Sequence, residues 1–122
     1  MLFRVVPGSP VPLGEQIAAC VRGAIAKGTA APGERLPPAR EVAESLGVNV
    51  HTVLRGYQRL RDEGLLELRR GRGAVITARP GIADQARLTE SVYALITQAR
   101  ELGLTDAEFL LTVNNCLAGR PG

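Results

Sequence analysis

Apolar residues recur at helical spacing from Leu13 through Ile17, Cys20, Val21, Ala24 and Ile25, and Gly28 follows Lys27 as a stop. The pattern predicts an amphipathic helix of roughly four turns. Residues 7–12 (Pro-Gly-Ser-Pro-Val-Pro) precede it as an extended arm, because three prolines fix φ and remove donors. Ala31-Pro32-Gly33-Glu34 has the order of a type II turn, and Leu36-Pro37-Pro38 then leads rigidly into a short second helix. Val42, Ala43 and Leu46 form the inward stripe of that helix, Gly47 ends it, and Asn49 is placed to cap the next one. A third helix, roughly 50 to 63, buries Val53, Gly56, Tyr57 and Leu60 and ends at Gly64. Two short helices joined by about three residues have helix-turn-helix geometry.

Beyond Gly64 the period changes. Leu65–Arg69 and Ala74–Thr77 read as two strands joined by Arg70-Gly71-Arg72-Gly73, a basic hairpin in the position of a wing. Pro80-Gly81 breaks the chain before a long helix, about 82 to 102, whose Leu88, Val92, Leu95, Ala99 and Leu102 alternate spacings of four and three. Tyr93 and Ile96 widen that apolar face, so the helix is expected to pack on something outside the winged unit. Thr105-Asp106-Ala107-Glu108 matches a capping box for a final helix that ends near Leu117 and carries Phe109 and Val113 inward. The fold class expected is mainly α with a small β-wing: a winged helix-turn-helix over 1–78, then a two-helix dimerisation tail over 79–122.

Charge sharpens this division. The chain of 122 residues has a net charge of +3, but residues 1–79 hold 12 Lys/Arg against 7 Asp/Glu, whereas residues 80–122 hold 3 against 5. The basic half is the candidate surface for a polyanion. Fourteen of the 15 basic residues are Arg in a chain rich in Ala and Gly, so composition alone does not separate phosphate recognition from codon bias. No stretch approaches the roughly 18 apolar residues of a membrane span, and Met1-Leu2-Phe3-Arg4 lacks the layout of a signal peptide, so the cytoplasm is the expected compartment with no membrane partner. Cys20 and Cys116 lie far apart on apolar helical stripes and are expected to be inert buried thiols. No catalytic constellation or metal-ligand spacing occurs, and Gly71-Arg72-Gly73 opens no helix and is no nucleotide fingerprint. No enzyme, cofactor or metal is expected.

Pro12-Leu13, Glu15-Gln16-Ile17, Pro32-Gly33-Glu34-Arg35-Leu36-Pro37, Ala39-Arg40-Glu41, Gly47-Val48-Asn49, Thr52-Val53, Tyr57, Glu63-Gly64-Leu65 and Arg70-Gly71-Arg72-Gly73 resemble, in one register over about residues 11–77, the GntR-type winged-helix domain. The Val-Asn-x-x-Thr-Val turn and the short tail are similar to the YtrA-like subfamily. The resemblance implies a bacterial dimeric regulator of double-stranded DNA, commonly a repressor. Gly14 stands where relatives carry an aromatic residue, which predicts different packing of the first helix.

Recognition helices place their N-terminal residues on base edges while the wing and preceding helix grip the backbone. The positions expected at DNA are therefore Asn49, Val50, His51, Thr52, Leu54 and Arg55, with Arg40 and the wing residues Arg70, Gly71, Arg72 and Gly73 around them. Asn49 serves as a helix cap, as a bond to adenine or phosphate, or as both. His51, the one histidine, suits a base or phosphate contact better than a metal, and otherwise is plain exposed surface. Relatives place arginine where this chain has Val50 and Leu54, which can touch thymine methyls but cannot clamp guanine, so some A/T bias is expected in the operator. Arg40 either meets DNA or pairs with Glu44 at i+4, and Arg72, between two glycines, has little to pack against.

The expected function is sequence-specific regulation by a homodimer on a pseudo-palindrome, with Leu88, Val92, Leu95, Ala99, Leu102, Phe109 and Val113 at the dimer contact setting the separation of two recognition helices. Two alternatives compete with it: a winged helix used as a protein-interaction module, and a nonspecific architectural DNA binder. A chain of this length has no room for a large effector domain, which leaves two alternatives: an effector, unidentified by the sequence, in a crevice between winged unit and tail, or no effector at all.

Overall fold

The computed structural model describes residues 3–119; Met1 and Leu2 of the amino-terminal segment, and 120–122, lie outside the described residues. The elements are α1 (Leu13–Lys27), α2 (Ala39–Leu46), α3 (Val50–Asp62), β1 (Leu66–Arg69), β2 (Gly73–Ile76), α4 (Ile82–Glu101) and α5 (Asp106–Ala118). The chain is thus mostly helical with a two-stranded antiparallel hairpin, the winged helix-turn-helix expected from its pattern, followed by two further helices.

The core explains why these segments fold together. Ile17, Val21 and Ile25 of α1, Val53 and Leu60 of α3, Leu65 and Ile76 are fully buried, so the stripes of α1 and α3 close on one another and on the hairpin. The α1–α3 crossing depends on Gly56, where a Cβ would meet the Gly14 carbonyl oxygen at 2.8 Å. At Gly14 a Cβ would stand 3.2 Å from the Thr52 carbonyl oxygen, so a larger residue there would require α1 and α3 to give by a few tenths of an ångström. Between α2 and α3 the chain turns through Gly47 in the left-handed region (φ 68°), the Val48 N–H returns to the Ala43 carbonyl at 3.0 Å, and Asn49 begins the next helix.

Three features of the first unit are absent from the periodic pattern. Residues 33–36 pair with the free edge of β2: an antiparallel bridge joins Arg35 to Val75, the Leu36 N–H donates to the Ala74 carbonyl at 2.9 Å, and the Ile76 N–H donates to the Glu34 carbonyl at 2.9 Å. Arg22 is buried on α1, and its guanidinium grips the Glu63 carboxylate through two bonds of 2.9 and 2.8 Å. Gln16 holds the arm before α1, donating to the Val6 and Val11 carbonyls while accepting from the Val6 N–H at 2.7 Å.

The chain separates into one compact unit up to Thr89 and another from Glu90, further along than the 78/79 boundary expected from the Pro80-Gly81 break. The reason is that Ile82 and Ala86, on the first turns of α4, are buried in the core, while Gln85 donates to the Glu63 carbonyl at 2.9 Å and Arg87 to the Ala26 carbonyl at 2.5 Å. In the second unit the chain reverses at Gly103, where the Leu104 N–H bonds the Ala99 carbonyl at 3.0 Å. Thr105 and Glu108 then form the reciprocal capping box, with bonds of 3.1 and 2.8 Å, and these lower the Glu108 carboxyl below its ordinary value.

The cysteines depart from expectation. Both are free, but Cys20 is only half-buried, its thiol donating to the Arg4 carbonyl at 3.2 Å, and Cys116 is exposed. The α5 stripe that suggested burial lacks a covering element, since no residue of α5 is buried. No described helix is long and apolar enough to cross a membrane.

Candidate nucleic-acid interface

The amino-terminal half of α3 presents two kinds of side chain. His51, Leu54 and Arg55 are exposed, whereas Val50 and Thr52 are half-buried, and Val50 packs against the core. Less of Val50 is therefore available to a groove than its position on the helix suggested. Asn49, itself exposed, accepts from the His51 N–H through Oδ1 at 2.8 Å, which satisfies one of the orphan donors at the start of α3. The side-chain amide N–H groups remain to donate outward, so capping leaves the polar contact possible.

Arg40 lies exposed in the first turn of α2, and Arg70, Gly71, Arg72 and Gly73 form the exposed tip of the hairpin, where the Arg72 N–H closes a turn on the Arg69 carbonyl at 3.1 Å. Arg40 does not pair with Glu44: among the described residues Arg40, Arg55, Arg70 and Arg72 carry no ion pair. Their neighbours differ, for Arg59 pairs with Glu15 at 2.9 Å and Arg69 with Glu67 at 3.2 Å. The arginines expected at DNA are thus among those, with Arg4, Arg35 and Arg79, that pair with no carboxylate among the described residues.

Between α3, the start of α2 and the hairpin lies a crevice of 530 Å³, lined among others by Leu36, Leu54, Tyr57, Leu68, Arg35 and Arg70. Tyr57 is buried in its wall and donates its hydroxyl to the Pro37 carbonyl at 2.7 Å, tying α3 to the approach of α2. Burial pushes its phenol up to about 12, because the phenolate would lose its hydration. Arg35 and Gln58 belong to this surface and were not anticipated from the sequence. Arg35 could have been suspected only by knowing that residues 33–36 join the sheet, which carries it to the hairpin.

The residues expected at a dimer contact are divided. Leu88 falls in the first unit and is exposed. In the second, Val92, Leu95 and Leu102 are exposed, Phe109 and Val113 are half-buried, and Ala99 is buried at the chain reversal. Leu117, on the expected α5 stripe, is exposed too, and so are Leu110 and Leu111, which lie off that stripe.

Residues 13–76, the span from α1 to β2, match the family model of bacterial regulatory proteins of the gntR family. The HTH-type transcriptional repressor YtrA of Bacillus subtilis is 31% identical over 108 residues, 88% of this chain and 80% of that protein. An HTH-type regulator of Mycobacterium tuberculosis, Rv0494, is 42% identical over 72 residues, 59% of this chain but 30% of its own length. Among solved structures, YtrA from Sulfolobus acidocaldarius, a GntR-family transcription factor, superposes with a TM-score of 0.61 and 32% identity over 80% of this chain and 99% of that one. The agreement begins at α1, ends at the wing and extends in these YtrA proteins into the tail: the chain belongs to the gntR family of bacterial regulatory proteins, with YtrA-like regulators among its relatives.

Proposed function

We propose that this chain is a sequence-specific transcription regulator, a repressor acting in the cytoplasm, that binds a pseudo-palindromic operator as a homodimer. The observation that carries this reading is the set of unpaired arginines, Arg40 and Arg55 on the helix-turn-helix and Arg70 and Arg72 on the wing, around the exposed His51–Leu54 face of α3. Charges kept free of internal partners are what phosphate contacts need, while Asn49, His51 and Leu54 meet base edges. Repression is supported by the relative named a repressor, and self-association by the leucines that α4 and α5 leave in solvent.

Selection of random duplex DNA by the purified protein at about 150 mM salt, where distant phosphate attraction is screened, tests the reading. The expected product is an inverted repeat with half-sites about one helical turn, or a multiple of it, apart and an A/T bias under Leu54. Binding without sequence preference would make this an architectural protein, and no binding a protein-interaction module. Half-sites made only of G and C would remove the assigned role of Leu54.

A further inference from the structure

The crevice between α3 and the hairpin is built differently from a surface that meets only phosphates. Leu54 and Leu68 face solvent there with 41% and 44% of their surface exposed, beside the buried Leu36, Tyr57 and Ala74. The Tyr57 hydroxyl proton is committed to Pro37, so this part of the wall offers a ring rather than a donor. Three arginines, Arg35, Arg69 and Arg70, also line it. Arg69 is held by Glu67, but Arg35 and Arg70 meet no carboxylate among the described residues.

These features choose among occupants. A neutral apolar molecule would desolvate the leucines while leaving two cations uncompensated, and a small inorganic anion would compensate the cations while leaving the leucines wet. An amphiphilic anion does both. A planar guanidinium donates two parallel bonds to a carboxylate, and a rigid ring covers apolar surface with less loss of rotamer freedom than an acyl chain of equal area. The volume of 530 Å³ is within the range of about 300–1,000 Å³ usual for small-molecule sites.

We propose that this crevice binds a small aromatic carboxylate, its ring against Leu54, Tyr57 and Leu68 and its carboxylate on Arg35 and Arg70, and that the bound anion excludes duplex DNA from α3 and the wing. The exclusion rests on the function proposed above; the binding does not. It makes the regulator self-sufficient as a sensor, with effector and operator competing for Arg70 and Leu54.

Titration of the ¹⁵N-labelled full chain with 1-naphthoate, without DNA, tests the site. Saturable amide shifts centred on Leu54, Tyr57, Leu68 and Ala74 are expected. Affinity is expected to fall about tenfold or more in Arg35→Gln, and by a similar factor when the neutral 1-naphthalenemethanol replaces the acid, because a charge-assisted pair is lost. Leu68→Glu, at an exposed strand position, is expected to abolish the shifts with its melting temperature kept. Absence of saturable shifts, shifts spread evenly over the surface, or equal binding of the alcohol overturns the site. Displacement of a labelled operator duplex by 1-naphthoate supports the exclusion, and retention of the duplex at saturation overturns it. A chain that binds no duplex at all would refute the proposed function while the titration still decided the crevice.

Discussion

The two compact units treat leucine in opposite ways. Up to Thr89, Leu60 and Leu65 are fully buried and large apolar exposure is mostly confined to the arm, to Leu54 and Leu68 around the crevice, and to Leu88; from Glu90 on, Leu102, Leu110, Leu111 and Leu117 each leave more than half of their surface in solvent. Charge divides less cleanly, for the first unit buries a bidentate Arg22–Glu63 pair beside several exposed pairs, while the second has an exposed Arg100–Asp106 contact at 3.7 Å. One unit therefore encloses most of its large apolar side chains, whereas the other has formed its helices without covering theirs. Helices as short as α5, 13 residues, are marginal alone in water, so what stabilises the second unit is expected to come from another copy of it.

The ion pairs give the largest test of this contrast. Arg22→Met leaves the Glu63 carboxylate, whose side chain is only 13% exposed, without its guanidinium, and is expected to lower stability by about 3–5 kcal/mol in urea unfolding. Arg100→Met is expected to change it by less than about 0.5 kcal/mol. Equal losses from the two would mean that the pair in the second unit is as enclosed as the first, and the contrast would fail.

Leucines give the next. Leu60→Ala removes a fully buried side chain and is expected to cost about 2–5 kcal/mol at any protein concentration. Leu110→Ser with Leu117→Ser is expected to shift self-association in sedimentation by about tenfold or more toward monomer, since each buried leucine contributes about 1.5–3 kcal/mol. A double variant that dimerises like the parent would show that α5 is simply surface.

Legibility from the sequence follows the range of each interaction. Gly28, Gly47, Asn49 and the Thr105–Glu108 box end or begin helices through bonds to residues at most four or five away, and each was visible as a motif. The Arg22–Glu63 pair joins residues 41 apart, and the Arg35–Val75 bridge joins the hairpin to a segment flanked by prolines that reads as a loop, so neither has a local signature. Ile82 and Ala86 belong to the same helix as the heptad stripe, and only the packed fold separates their role from that of Leu95. Which residues lie on α3 follows from period, but that Val50 turns to the core while Leu54 turns to a crevice depends on how α2 and the hairpin meet α3. Cys116 was misplaced because an apolar stripe implies a covering surface without saying which molecule supplies it.

The wing allows a finer test of the basic unit. If Arg72 neutralises one phosphate, Arg72→Ala should weaken binding to selected and unrelated duplexes alike and reduce the slope of log affinity against log salt by about 1. An unchanged slope would leave the exposed tip without its assigned contact.

Tyr57 gives the smallest effect at neutral pH and the most selective probe of the enclosed unit. Its phenol titrates at about 12 in the folded chain against an ordinary value of 10.0, so folding favours the neutral form. A raised value means that the associated stability is fully present below pH 10.0 and is lost as pH rises through about 12. Ultraviolet titration should show a phenol step near the higher value, and Tyr57→Phe should remove that step. At pH 7 the same variant should lose about 0.5–1.5 kcal/mol, because the bond to the Pro37 carbonyl is gone while the ring still fills its place. If the higher step persisted in Tyr57→Phe, burial beside the Pro37 carbonyl would not be its source, and the enclosure assigned to this wall of the first unit would have to be redrawn.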